Sequence, residues 1–307
     1  MIKLVKCNLC GSSRYSVLYK TYSGDAAAEE RDYRITDHRV GVPLRIVKCG
    51  RCGLIYANPR PAVRSLISAY NRMVDEAYVE EEAGRRASAR LILKMLGKYK
   101  KRGRLLDVGC ATGFLLDEAR KAGWEIHGVE LSDWAAGYAK DILKVNTVFH
   151  GILKNARYPD GYFDAVVMQD SIEHLTDPRG TLLEVRRVLK PSGIICVNTP
   201  DIDSFISRVL KARWWGVKQS HLYYFNRRTL HAMLWAAGYA PLMTKSHVRV
   251  FTLKYWVAKL KGYSGWLHSI FIFLIRLGII KNNLLRVNMG DQIEVYAGKM
   301  RKLRYPQ

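Results

Sequence analysis

The sequence predicts a doubly wound α/β fold, a mostly parallel sheet with helices on both faces, carrying a small metal-binding ribbon near its N-terminal end. Three observations predict it. Between Arg104 and Thr199 short apolar runs alternate with helix-like stretches, the pattern of a parallel sheet wrapped by its own crossover helices. The first run, Arg104 to Phe114 (RLLDVGCATGF), ends in an acid and a turn of small residues. Four of the six cysteines stand as two Cys-x-x-Cys-Gly units, Cys7 with Cys10 and Cys49 with Cys52.

Taken in order, residues 1–60 read as a zinc ribbon. Two intervening residues let one loop offer two thiolates to a tetrahedral ion, and two such loops close a shell of four sulfurs with no position left for water. Such a zinc is structural, and paired thiolates fit a reducing compartment. The polar stretch Gly24 to Pro43 reads as an insertion loop with one strand. Pro59 and Pro61 mark a boundary, after which residues 61–103 form a helical linker: a short helix over Ala62 to Tyr70 and a longer one over Tyr78 to Lys101. The longer one has acids first and bases last, in the sense a helix dipole favours. Leu91, Met95 and Tyr99 recur at four-residue spacing and predict its packing face. Residues 104–307 make the main domain. Its strand candidates are Arg104 to Gly109, Glu125 to Glu130, Thr147 to Gly151, Phe163 to Gln169 and Gly193 to Thr199, with helices starting near Phe114, Ser132 and Pro178.

In such sheets ligands bind beyond the carboxyl ends of the strands. That places Gly109, Glu130 and the pair Gln169 and Asp170 in one crevice. Gly109, Ala111 and Gly113 are small enough for backbone to approach a ligand, and a strand-to-helix turn offers unpaired N–H groups. A dinucleotide needs G-x-G-x-x-G. Here the order is D-x-G-x-A-T-G from Asp107, which resembles motif I of class I S-adenosylmethionine methyltransferases. Glu130, about twenty residues on at the end of the next strand, is placed to accept both ribose hydroxyls.

FDAVVMQDSIEHLTDP, LLEVRRVLKPSGIICVNTPD and HLYYFNRRTLHAMLWAAGY look like the second half of the ubiquinone and sugar methyltransferase type. A zinc ribbon ahead of that domain resembles a subgroup that includes sugar C-methyltransferases of antibiotic and polysaccharide biosynthesis. The resemblance implies a Rossmann-like fold and S-adenosylmethionine held by Asp107, Gly109, Cys110, Ala111, Gly113, Glu130, Leu131, Gln169 and Asp170. The sequence departs from the family at Ala111, which replaces a glycine, and at His150, Gly151 and Ile152, where relatives carry an acid for the adenine amine.

Methyl transfer from a sulfonium needs alignment above all, with a base where the acceptor must lose a proton. His174, just past the fourth strand, is the first candidate for that base, against a purely loop-fixing role. His221 is the second, on the resemblance, in an aromatic segment (WWGVKQSHLYYF) that reads either as packing or, with Arg213 and Lys218, as a pyrophosphate site.

Net charge is +23, so an anionic partner is expected, a nucleotide diphosphate, nucleic acid or an anionic membrane face; the resemblance implies a saccharide, sugar nucleotide or lipid-linked glycan intermediate as acceptor. Nucleic acid is the alternative, but the fourth strand ends in QDSIEH and lacks the N/D-P-P-Y of base amino-methylation. A non-catalytic binding module that kept the fold is a third reading, opposed by the intact turn and Glu130. No apolar leader opens the chain, which predicts a cytoplasmic protein. Near residues 251–285 lies an apolar helical insertion flanked by Lys254, Lys259, Lys261 and Lys281. It reads as a core or subunit-contact helix, or as peripheral contact with an anionic membrane face, being too short to span one.

Overall fold

A computed structural model describes residues 2–20, 33, 34, 36, 44–261 and 263–300. The insertion loop expected over Gly24 to Pro43 falls almost wholly outside the described residues. Five short strands form the N-terminal ribbon: β1 (Ile2–Lys3), β2 (Tyr15–Tyr19), β3 (Ile46–Cys49), β4 (Ile55–Ala57) and β5 (Arg60–Pro61). β2, β3 and β4 pair antiparallel, and β1 pairs with β5.

Helix α1 (Val63–Asn71) follows. The single helix expected from Tyr78 is two, α2 (Glu76–Glu80) and α3 (Glu82–Leu96). The break has a cause: the buried Glu81 carboxylate turns inward to accept the Thr252 backbone N–H (3.1 Å) and hydroxyl (2.6 Å). The buried stripe of α3 is Ala89, Ile92, Leu93 and Leu96, with Met95 and Tyr99 at its margin. The expected face is thus rotated by one residue, because the helix packs between the sheet and the strand that starts at Arg249. Gly84 makes that approach feasible, since a Cβ there would lie 2.5 Å from the Val250 carbonyl oxygen.

The chain then runs β6 (Arg104–Val108), α4 (Phe114–Lys121), β7 (Glu125–Glu130), α5 (Asp133–Asp141), β8 (Val148–His150), β9 (Phe163–Gln169), α6 (Pro178–Val188) and β10 (Leu189–Pro200). All five expected strands and the three helix starts are present. Ser132 caps α5 by accepting from Ala135 N–H (3.1 Å), and Asp177 caps α6, with Pro178 as its first residue, the arrangement that satisfies orphan N–H groups at a helix start. Beyond β10 come α7 (Phe205–Leu210), β11 (Tyr223–Tyr224), α8 (Arg227–Ala236), β12 (Tyr239–Ser246), β13 (Arg249–Thr252), α9 (Leu253–Leu260), α10 (Gly265–Arg276), β14 (Leu284–Val287) and β15 (Gln292–Lys299).

The main sheet has seven strands in the order β12-β15-β10-β9-β6-β7-β8, parallel except for β15. Successive residues face opposite layers: Leu106, Val166 and Met168 enter one apolar cluster, Leu105, Ala165 and Val167 the other. From β6 the chain winds first toward β8 and then, from β9, the other way. Between β6 and β9 the connections therefore leave in opposite directions and open a crevice at the strand ends.

Among the described residues, the ribbon shares its apolar core with the main domain. Cys7, Cys49, Leu54 and Tyr56 belong to the same apolar cluster as Leu106, Val166 and Met168. β4 pairs with β11, setting Tyr56 opposite Tyr223. Asn8 donates to Asp177 (2.8 Å) and accepts from Arg179 N–H (2.9 Å), while the buried Arg60 donates to the Tyr223 hydroxyl (3.0 Å) and the Thr176 carbonyl (2.8 Å).

Candidate active site

The turn after β6 is held from below. Gly109 N–H donates to the Val129 carbonyl (2.8 Å), and Gly109 (φ 79°), Ala111 (φ 47°) and Gly113 (φ 84°) all adopt left-handed backbone. A Cβ on Gly109 would lie 3.0 Å from Ser171 Cβ, so the loop after β9 comes as close as a hydrogen side chain permits. Ala111 accepts the strain of positive φ, about 1–2 kcal/mol for a residue with a Cβ. Its N–H donates 2.8 Å to Glu130 Oε2, which offsets that cost.

The Glu130 carboxylate also accepts from Leu131 N–H (2.7 Å) and Ser132 N–H (2.8 Å), both on Oε1. Three of about four acceptor directions are therefore taken. Burial pushes the Glu130 carboxyl up, and the three N–H groups oppose it. Asp107 is pushed up to about 8 by burial and by Glu130 beside it. Its Oδ1, the Thr112 hydroxyl and the Ser171 hydroxyl are buried without hydrogen-bond partners. Unpartnered oxygens of Asp107, Thr112 and Ser171 beside the turn fit a ligand that carries both positive charge and hydroxyls, as S-adenosylmethionine does.

Gly109, Ala111, Glu130, Leu131, Asp170 and His174 line one cavity of about 590 Å³. Asp107, Cys110, Gly113 and Gln169 do not line it. Asp107 lies beneath the turn; Cys110 turns into the apolar cluster with Leu116 and Ile126; Gly113 lets Ala139 of α5 approach, a Cβ there lying 3.0 Å from Ala139 Cβ; Gln169 ends β9 opposite Asn198. On the adenine side, His150 is engaged with Asn71 Nδ2 (2.8 Å) and the Leu131 carbonyl (3.1 Å), and Trp134, Ile152 and Leu153 supply the wall instead.

The other half of the cavity is built from distant segments. Tyr70 of α1 places its hydroxyl 2.7 Å from His174 Nδ1, and the Ser220 carbonyl lies 2.9 Å from the same nitrogen. A carbonyl only accepts, so the tautomer that suits this site carries its proton on Nδ1 and leaves Nε2 basic. Burial lowers His174 to about 4. His221 is buried behind it, rings 4.7 Å apart and nearly perpendicular, with Nδ1 donating to the Gly216 carbonyl (2.8 Å). Burial and His174 push His221 well down. Glu173 joins them: its Oε2 accepts from the Thr199 hydroxyl (2.9 Å), its Oε1 has no partner, and burial raises its pKa well above the usual range. Ligand atoms of Glu173, His174 and His221 lie within 4.8 Å of one another, a set that can share a proton or hold a small cation. The aromatic segment around them is largely interior: Trp214, Val217 and Tyr224 form an apolar cluster with Ile46 and Ile202.

Behind Asp170, outside the cavity lining, lies a cationic and aromatic cluster. Asp170 accepts from Gln292 Nε2 (3.0 Å), and Asp291 pairs with Arg249 (2.5 Å) and accepts from Trp215 Nε1 (3.0 Å). Arg85 lies 3.4 Å over the Tyr78 ring, and its Nη2, like Trp256 Nε1, is buried without a partner. The Lys259 ammonium sits over Tyr255 (5.0 Å) and Trp215 (5.9 Å) and is pushed down to about 7 by burial and by Arg249. Tyr70, Tyr78, Trp134 and Arg85 were not foreseen. Tyr70, Tyr78 and Arg85 precede the turn in a stretch with no local motif, and Trp134 looks like any aromatic in a first helical turn.

In the ribbon, Cys7 and Cys52 sulfurs lie 3.5 Å apart and Cys10 and Cys49 sulfurs 3.6 Å apart, all four within 4.8 Å of one another. A tetrahedron with bonds of about 2.3 Å has edges of about 3.8 Å, so the donors and their spacing suit zinc. Gly11 and Gly53, both left-handed, close the two knuckles by donating to the Cys7 (2.8 Å) and Cys49 (3.0 Å) carbonyls.

The family described as "Methyltransferase domain" matches residues 79–243. An uncharacterized methyltransferase of Schizosaccharomyces pombe is 31% identical over 140 residues, 41% of this chain and 50% of that protein. A ubiquinone biosynthesis O-methyltransferase of Aromatoleum aromaticum is 31% identical over 101 residues, 31% of this chain and 43% of its own length. The chain thus spans about half the length of these two curated relatives. Among solved structures, a SAM-dependent methyltransferase from Archaeoglobus fulgidus is 19% identical, covers 73% of this chain and 100% of its own, and superposes with a TM-score of 0.48, too distant to bear on function.

Proposed function

The chain belongs to this methyltransferase-domain family, and we propose that it transfers a methyl group from S-adenosylmethionine to an anionic acceptor, a saccharide carried on a nucleotide or on a lipid phosphate. One observation carries the reading. A single cavity joins the small-residue turn and Glu130 on one side to His174 and Asp170 on the other, so a cofactor and an acceptor can meet inside it. Gly109, Ala111 and Thr112, which line the cavity, would hold the methionine end, and Glu130 would hold the ribose. Bound there, S-adenosylmethionine supplies a methyl group already activated on a sulfonium.

What the chain adds is alignment and proton removal. His174, neutral at physiological pH and oriented by Tyr70 and Ser220, presents Nε2 to accept a proton from an acceptor hydroxyl or carbon. Such a base contributes roughly a hundredfold or more. His221, edge-on to the His174 ring, and Glu173 beside both hold that ring in place. Arg85, stacked on the cavity-lining Tyr78, and Lys259 near Asp170 lie behind the cavity wall and support an acceptor that carries a phosphate. The four ribbon cysteines hold a structural zinc, and the protein works in the cytoplasm.

A phenolic acceptor is the second reading, favoured by the relatives named as ubiquinone biosynthesis O-methyltransferases. Both are tested by incubating the full chain with methyl-labelled S-adenosylmethionine and a panel of nucleotide sugars, lipid-phosphate sugars and polyprenylated phenols. Label in a sugar fraction is the expected result. Label confined to phenols would replace the saccharide reading, and no label in any fraction would contradict both.

A further inference from the structure

The apolar stretch of residues 265–280 is not core. Helix α10 buries none of its residues. Trp266 (68% exposed), Ile270 (47%), Phe273 (60%) and Leu277 just past its end (56%) recur at steps of four, three and four, which at about 100° per residue confines them to one stripe roughly 60° wide. Ile279 (66% exposed) prolongs it. The opposite side of α10 rests on α9. Between Thr252 and Gly290 there is no aspartate or glutamate, whereas Lys254, Lys259, Lys261, Arg276, Lys281 and Arg286 all fall there. Lys254 pairs with Glu80 (3.0 Å). Lys261, Arg276, Lys281 and Arg286 are exposed and have no carboxylate partner among the described residues.

We infer that α10 lies flat on an anionic lipid surface, its Trp266–Leu277 stripe in the acyl boundary and the basic residues around it among the headgroups. An exposed aromatic and aliphatic stripe in an acid-free, lysine- and arginine-rich segment matches such a surface in both polarity and charge. No described helix is long and apolar enough to cross a membrane, so the contact lies in the plane of the surface. A second copy of the chain would also cover the stripe. It would, however, bring two acid-free cationic segments face to face, which like-charge repulsion opposes.

The test is flotation of the full chain with phosphatidylcholine vesicles, with and without phosphatidylglycerol. The expected result is at least about tenfold more bound protein on the anionic vesicles, weakened by high salt. Trp266→Ser with Phe273→Ser should lose that binding about tenfold or more, and Lys281→Glu severalfold, with melting temperature and S-adenosylmethionine binding unchanged. Equal flotation with both vesicle types would overturn the inference, as would a double variant that floats like wild type. A wild-type dimer in sedimentation velocity that the double variant splits would assign the stripe to a second copy instead.

Discussion

The two halves of the crevice are built in different ways. The cofactor half is local: β6, its turn and β7 lie within some thirty residues, and backbone N–H groups of Ala111, Leu131 and Ser132 fix Glu130 without help from any distant segment. The acceptor half is assembled from afar. The hydrogen-bond partners of His174 Nδ1 are the Tyr70 hydroxyl, 104 positions earlier, and the Ser220 carbonyl, 46 positions later. The Glu173 backbone carbonyl accepts Leu222 N–H (2.8 Å), the Leu222 carbonyl in turn accepts Ala57 N–H (2.9 Å), and Ala57 belongs to the ribbon. A cofactor common to a family can be met by a short rigid motif, whereas an acceptor is met by whatever the appended segments bring, so the two halves should fail separately.

The sharpest separation is expected at His174. His174→Ala should lower kcat by roughly a hundredfold to ten-thousandfold while leaving the dissociation constant for S-adenosylmethionine within about threefold. Equal loss of both, measured by steady-state kinetics and calorimetry, would make His174 a structural residue and erase the contrast. Next comes the ribbon. Cys49→Ser should release the metal and loosen β4 from β11, lowering turnover more than about tenfold with a smaller effect on cofactor affinity. Zinc content unchanged from wild type would contradict the four-thiolate site, and circular dichroism would check that the main sheet survives.

The smallest effect is in pH dependence. With His174 held at about 4 rather than its ordinary 6.5, the acid limb of kcat/KM should fall near pH 4 to 5, not near 6.5. The sign for stability follows the same shift. A depressed histidine contributes fully above 6.5 and loses that contribution as pH falls from 6.5 toward 4, since the unfolded chain then binds more protons. An acid limb at 6.5 would place the working base elsewhere.

The contrast also explains what was legible in the sequence. Strand alternation, the turn, Glu130 and both cysteine pairs are local patterns, and each appears in the fold where the pattern put it. The break at Glu81 was not legible, because its cause is a hydrogen bond to Thr252, 171 positions away. Nor was the engagement of Glu130 by three N–H groups, which depends on the left-handed turn at Ala111. Cys110 and Gly113 belong to the motif yet face the core and α5, since a tight turn must pack on one side to present the other. Tyr70, Tyr78 and Arg85 carry no motif. Tyr70 and Tyr78 reach the cavity, with Arg85 stacked on Tyr78, only because α1, α2 and α3 fold back over the strand ends.

The most direct test of the central claim is a calorimetric titration of the full chain with S-adenosylhomocysteine, for wild type, Glu130→Gln and Glu130→Ala. The account predicts one site per chain. Glu130→Ala should bind roughly ten- to a hundredfold more weakly, from the loss of charge-assisted hydrogen bonds of about 1.5–3 kcal/mol, with Glu130→Gln in between. No heat of binding in wild type, or identical affinity in all three proteins, would contradict it.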